Sequence, residues 1–265
     1  ILMKIGIFFS CLGGLIIAKA IHKAMPEYDY VYLGDTKRVP YGNRSHETVY
    51  EFTKEAVNYL FEKENCALVI LACNTASAKA LDRIQKERQQ EKSTSKVLGV
   101  LIPAAEECVG FKKVGVLATY GTVSSNAFVN EIKKVNKNCK VFQNPAPMLV
   151  PLVEGGENKL ALPFLLKYLK PLIDKKVEAI VLGCTHYPIF KKEFKKILGN
   201  KIKLISQDEM IPKKLKDYLK RHQEIENKLS KKKTIKILVT DKTQNVEVLT
   251  VKWFGKNTKP ELVNL

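Results

Sequence analysis

Short, continuous apolar runs alternate along the chain with longer stretches in which apolar residues recur every three or four positions. Leu68-Val69-Ile70-Leu71 and Ala179-Ile180-Val181-Leu182 are the clearest runs. Apolar runs of this length, bounded by polar residues, read as fully buried strands. The pattern predicts strands over 4–9, 29–33, 67–72, 97–101, 113–118, 139–143, 178–183 and 202–206. It predicts helices over 14–25, 46–64, 75–91, 123–136, 158–174, 188–198 and 209–229. Within 50–61, Tyr50, Val57, Leu60 and Phe61 mark one face of an amphipathic helix. The polar stretch 86–96 reads as a frayed helix end and loop. Two further strand-like runs, 235–239 and 246–251, are expected to return to the first half of the chain. Strands alternating with helices predict an α/β protein with mainly parallel sheets and helices on both faces.

The beginning of the chain admits two readings. Residues 5–18 are largely apolar, and Ala18-Lys19-Ala20 mimics a signal-peptidase site. A buried strand, a turn at Gly13-Gly14 and a helix form the preferred alternative, because it accounts for the paired glycines. No other apolar run approaches membrane-spanning length.

Composition narrows the function classes. A chain of 265 residues holds one large domain or two medium ones. Its 45% hydrophobic content is globular rather than disordered. The cysteines, Cys11, Cys66, Cys73, Cys108, Cys139 and Cys184, show no paired short spacing, which disfavours a zinc ribbon or a redox Cys-x-x-Cys. No metal cluster is evident, and reduced thiols in a cytoplasmic protein are the expected state. The net charge of +18 would attract acidic partners. Its lysines, however, spread along helices and bunch only in short runs such as Lys191-Lys192, Lys195-Lys196 and Lys231-Lys232-Lys233. With no aromatic platform beside them, a solvated surface explains the charge better than a nucleic-acid partner.

The candidate chemistry lies at the ends of the two clearest runs. Ala72-Cys73-Asn74-Thr75-Ala76-Ser77 follows one, and Gly183-Cys184-Thr185-His186-Tyr187-Pro188 follows the other. Ligands of open α/β sheets bind outside the carboxyl ends of strands. Two thiols delivered there can face one small molecule from opposite sides, one removing a proton and the other returning one. A helix N-terminus lowers a thiol pKa. Cys73 precedes a helix expected from Thr75, and Cys184 precedes one expected to open at Pro188. Asn74, Thr75 and Thr185 can hydrogen-bond carboxylate or ammonium groups. Taken singly, each cysteine reads as a packed core thiol, as Cys66, Cys108 and Cys139 do. Singly, too, His186 is an ordinary polar or core histidine, Glu154 a helix-start acid and Tyr41-Gly42 a turn. The likeness of 68–77 to 179–188 suggests a repeated half-site, hence a pseudo-symmetric molecule with a cleft between halves.

Further segments carry a resemblance: Gly34-Asp35-Thr36, Arg38-Val39-Pro40-Tyr41-Gly42, Thr119 with Gly121-Thr122, and Val150-Pro151-Leu152-Val153-Glu154. With the two cysteine segments, they resemble the cofactor-independent glutamate racemases of the aspartate/glutamate racemase superfamily, nearly end to end from Ile5 to about Asp208. The resemblance implies two α/β domains, expected at 1–97 plus 208–265 and at 98–207, with the active site between them. It implies Cys73 and Cys184 as acid/base thiols, with Glu154 and His186 assisting Cys184. It implies a substrate site lined by Ser10, Pro40, Tyr41, Gly42, Asn74, Thr75, Thr119, Thr122, Thr185 and His186. It further implies glutamate as substrate, no cofactor, a homodimer, and supply of D-glutamate for peptidoglycan.

One departure stands out. The family has Asp-Ser-Gly-x-Gly-Gly after the first strand, and this chain has Phe9-Ser10-Cys11-Leu12-Gly13-Gly14. Phe9 replaces the acid that serves the Cys73 face, and Cys11 replaces a turn glycine. The stretch after about Lys231 is also weakly matched. The expectation is a slow racemase. The alternative is a silent relative that binds an acidic amino acid or associates with nucleic acid.

Overall fold

The structure is a computed structural model, and residues 2–10, 12–255 and 258–265 are described. The expectation attached to Cys11 lies outside the described residues. The chain opens with β1 (Lys4–Phe9), α1 (Gly14–Ala24), β2 (Tyr30–Gly34) and α2 (His46–Glu62). Next come β3 (Cys66–Leu71), α3 (Asn74–Lys79), α4 (Leu81–Gln90), β4 (Lys96–Gly99) and α5 (Leu101–Glu106). The middle of the chain forms β5 (Lys113–Ala118), α6 (Tyr120–Ser124), α7 (Ala127–Val135), β6 (Lys140–Pro145), α8 (Leu149–Glu154) and α9 (Ala161–Asp174). It continues through β7 (Ala179–Gly183), α10 (Lys191–Leu198), β8 (Lys203–Ile205), α11 (Gln207–Arg221) and α12 (Gln223–Glu226). The last elements are β9 (Ile235–Val239), α13 (Gln244–Trp253) and β10 (Glu261–Leu262).

Two parallel sheets result. One has the order β10-β9-β2-β1-β3-β4, and the other β6-β5-β7-β8. Strands β1, β3 and β7 are buried almost end to end, as parallel strands covered on both faces must be. The order β2-β1-β3-β4 is repeated as β6-β5-β7-β8, so the molecule consists of two pseudo-symmetric α/β halves. The repeat suggested by the two cysteine segments is therefore real: both follow the third strand of a four-strand unit. The apolar N-terminal stretch forms central strand β1 and helix α1, as the strand reading requires. No helix among the described residues is long and apolar enough to cross a membrane.

Several element predictions needed correction. The run 246–251 is not a strand but lies inside α13. Thr243 caps that helix by accepting the Val246 N–H, and Val246, Leu249, Thr250 and Trp253 bury one helical face. Its β-branched residues mimic a strand, but their spacing is helical. The predicted helix 75–91 breaks at Ala80, whose backbone leaves helical geometry. The predicted helix 123–136 breaks at Asn126, which adopts the left-handed conformation that asparagine tolerates. Strand 97–101 stops at Gly99, and Leu101 already opens α5. The helix expected at Pro188 is a single 3₁₀ turn, Tyr187–Phe190, before α10.

Candidate active site

Strand register brings the polar groups together. In the first half, Phe8 of β1 pairs with Leu71 of β3, so Ser10 and Cys73 leave adjacent strands side by side. Their Oγ and Sγ lie 3.3 Å apart. In the second half, Ala118 of β5 pairs with Gly183 of β7, which places Thr119 and Cys184 in the corresponding positions. Each pair emerges where chain connections diverge to opposite sides of the sheet, the usual ligand crevice of open α/β sheets.

The two crevices open into one cavity of about 280 Å³, and both thiols line it. Ser10, Pro40, Tyr41, Gly42, Asn74, Thr75, Thr119, Glu154, Thr185 and His186 line it as well. Thr122 stands behind them, its hydroxyl 3.3 Å from Thr75 Oγ1 and 3.1 Å from Thr119 Oγ1. Phe9, Val39, Pro147, Val150 and Pro151 give the cavity its apolar wall. Cys66, Cys108 and Cys139 lie elsewhere in the core. Burial pushes the Cys66 and Cys108 thiols up to about 12, which keeps them protonated.

The surroundings of the two thiols differ. Cys73 is the N-cap of α3, and its Sγ accepts the Ala76 N–H at 3.4 Å. Burial nevertheless drives its pKa above the ordinary thiol value; the Ser10 hydrogen bond and the helix N–H oppose that rise only in part. The helix end therefore moderates the shift without reversing it, contrary to the lowering expected from sequence. A negative Cys184 raises the Cys73 pKa further. Cys184 has no α-helix at its back. Its partner is His186, whose Nδ1 lies 3.6 Å from Cys184 Sγ and whose Nε2 lies 3.0 Å from Glu154 Oε1. Thr185 Oγ1 is fully buried and has no hydrogen-bond partner among the described residues. Such an orphaned hydroxyl at a cavity wall is costly unless a ligand satisfies it.

Further side chains buttress the site, and the roles of Trp253 and Gln207 were not legible in the sequence. Phe9 is buried beside the cavity, its ring centroid 5.8 Å from that of His186. Trp253 of α13 meets the same imidazole edge-on at 6.2 Å, and Gly13 packs so tightly that a Cβ there would lie 2.4 Å from the ring. Asn74 and Gln207 exchange reciprocal amide hydrogen bonds of 2.8 Å, and Gln207 also donates to the Val100 carbonyl. Their signals were single residues far apart in the chain.

Asp35 holds the lip that carries Tyr41 and Gly42. Its carboxylate, fully buried, accepts from the Tyr41 hydroxyl, from Arg38 Nε at 2.6 Å and from Thr240 Oγ1 at 2.8 Å. Asp35→Ala strands a buried phenol and removes the partner of a guanidinium. The expected loss is about 3–5 kcal/mol of stability, the range for breaking a buried ion pair, and chemical denaturation of the two proteins measures it.

Two α/β halves closing on a thiol-lined cavity define a class that comparison with known proteins makes specific. The family model described as Asp/Glu/Hydantoin racemase matches residues 16–207. The chain is 37% identical to a glutamate racemase of Aquifex aeolicus over 99% of its own length and 98% of that protein. It is 40% identical to one from Sulfurihydrogenibium over 73% and 74% of the two chains. A crystal structure of glutamate racemase from Francisella tularensis in complex with D-glutamate superposes with a TM-score of 0.89 at 31% identity, covering 99% of this chain and 97% of that one. This chain belongs to the Asp/Glu/Hydantoin racemase family.

Proposed function

We propose that the chain interconverts L- and D-glutamate without a cofactor, using Cys73 and Cys184 as the two acid/base groups. The observation that carries this reading is one cavity lined by both sulfurs, each delivered by the equivalent strand of a pseudo-symmetric half. The substrate of the named relatives, and the D-glutamate bound in one of them, support glutamate. The two sheets support a first domain built from both ends of the chain and a second from its middle, with the cleft between; the 97/98 boundary expected from sequence falls inside β4, which pairs with β3, so the first domain runs at least to Gly99. D-Glutamate made this way would serve peptidoglycan synthesis.

The chemistry runs as a proton relay across one carbon. One sulfur, as thiolate, takes the α-proton from its face. The other, as thiol, gives a proton to the opposite face. A charge on one sulfur disfavours charge on its neighbour, which suits a pair holding one proton between them. His186, backed by Glu154, holds or passes a proton for Cys184. Ser10 and the α3 N–H groups serve Cys73. Thr185, Thr75 and Thr119 hydrogen-bond the carboxylate or ammonium groups. Phe9 stands where the resemblance places an aspartate, and its ring can neither accept nor donate a proton. The reaction is therefore slow on the Cys73 side. Because the enantiomers have equal free energy in water, that deficit lowers kcat/KM equally in both directions.

The test is α-hydrogen exchange in D₂O followed by NMR, beginning from each enantiomer of glutamate. Expected are deuterium incorporation and loss of optical rotation from both. A folded chain that exchanges neither enantiomer overturns the reading.

A further inference from the structure

Lys79, the last residue of α3, is only 9% exposed. Its ammonium donates to the Arg44 carbonyl at 2.7 Å, and no carboxylate pairs with it among the described residues. The surroundings are specific. A Cβ built on Gly121 would lie 3.2 Å from Lys79 Nζ, 3.2 Å from Thr75 Cγ2 and 2.6 Å from the Gly42 carbonyl oxygen. The ammonium thus sits where α3 of the first half, the lip turn at Tyr41–Asn43 and α6 of the second half meet. Burial pulls its pKa below the usual lysine value. A buried charge without a counter-charge is expensive, and the described residues supply no carboxylate to offset it.

One helical turn back on the same face of α3 is Thr75. Its hydroxyl forms a cluster with Thr119 Oγ1, at 3.0 Å, and Thr122 Oγ1, at 3.3 Å. Thr75 and Thr119 line the cavity. Hydroxyls that can rotate their hydrogens toward a ligand, one helical turn from a cation that pairs with no carboxylate among the described residues, are a place for a negative group. We propose that Lys79 supplies the counter-charge for a carboxylate of the bound amino acid at the Thr75–Thr119–Thr122 cluster, while its bond to Arg44 pins the cavity lip. It is a positioning residue, separated from the ligand by the threonines, and its role rests on the acidic amino-acid reading above. The counter-charge arrives only with substrate, so substrate binding also offsets the buried positive charge.

The test uses Lys79→Met, Lys79→Gln and Lys79→Arg in the full chain, with calorimetry against D-glutamate and rates from optical rotation. For a charge several ångström from a carboxylate, Met and Gln are each expected to raise Kd and KM about tenfold. The charge acts alike on bound substrate and transition state, so kcat should stay within about twofold. Arg keeps the charge and should retain near-native Kd. Removal of an uncompensated buried cation should leave thermal stability equal or higher. Unchanged Kd in Met and Gln, or recovery by Gln as good as by Arg, overturns the inference, because an amide can still bond to Arg44. Wild-type chain that binds neither enantiomer overturns the substrate reading itself. Wild-type binding with unaffected variants overturns the role of Lys79 alone.

Discussion

Replacing Cys73 or Cys184 by serine is expected to lower glutamate racemisation by about 10⁴-fold, the upper end for loss of a positioned acid–base group. The sulfurs lie on the equivalent strand ends of the two halves and share one cavity, so neither can stand in for the other. Serine keeps the volume close to that of cysteine but ionises far less readily. The Ser10 and Ala76 contacts of Cys73 have hydroxyl counterparts, so folding should survive. The two variants should also differ in kind. Each retains one thiol and therefore one face of attack. In D₂O each should exchange the α-proton of a single enantiomer without inverting it, and the favoured enantiomer should be opposite in the two. Wild-type rates in either variant would remove the thiols from the mechanism. The wild-type pH profile follows from the same pair. Burial holds the Cys73 thiol above its ordinary pKa, so the thiolate fraction, and with it kcat/KM, should rise as pH rises. It should fall again once the second thiol has lost the proton it must donate.

Phe9→Asp is expected to raise kcat/KM by about 10²–10⁴-fold, the usual contribution of an acid–base assistant. Position 9 ends β1, one residue before the Ser10 that touches Cys73, and its side chain lines the same cavity as that thiol. A carboxylate there can orient the thiol or share its proton. The gain has a structural cost. Phe9 is almost fully buried and packs beside His186, and deleting a buried phenyl ring costs about 3–5 kcal/mol. Activity should therefore rise while the thermal midpoint falls. Phe9→Asn separates the two effects: it loses the ring but carries no ionisable group, and should share the instability without the full rate gain. Equal rates in Asn and Asp variants would mean that Phe9 acts only by crowding the cavity. No gain in either would mean that the Cys73 face does not limit the reaction.

Much of this was legible in the chain because it is local. Each half-site is an apolar strand followed by Cys and two polar residues, and a buried strand in a parallel sheet has one place to deliver them. The alternation of strands and helices carried the architecture for the same reason. The misreadings share another cause. Val246, Val248 and Val251 have the residue types of a strand, but Thr243 caps a helix and the buried positions follow a helical period. Breaks at Ala80 and Asn126 depend on packing that no window of sequence contains. The Cys73 pKa departs from the sequence expectation because a helix N–H can be read from sequence whereas the depth of burial cannot. Asp35, Gln207, Lys79 and Trp253 were invisible as supports because each meets its partner only after the sheets assemble.

Strand β9 pairs with β2 in parallel, 205 residues of chain separating Asp35 from the Thr240 hydroxyl that it binds. The amino-terminal half is thus finished by a segment made after the whole carboxy-terminal half. During synthesis, the outer hydrogen-bonding row of β2 stays bare until that segment emerges, and an unpaired edge invites pairing with other chains. Closing so long a loop is also slow compared with local folding. The cavity lip is therefore the last part of this half to set, and truncation before β9 would leave an adhesive edge as well as an inactive protein.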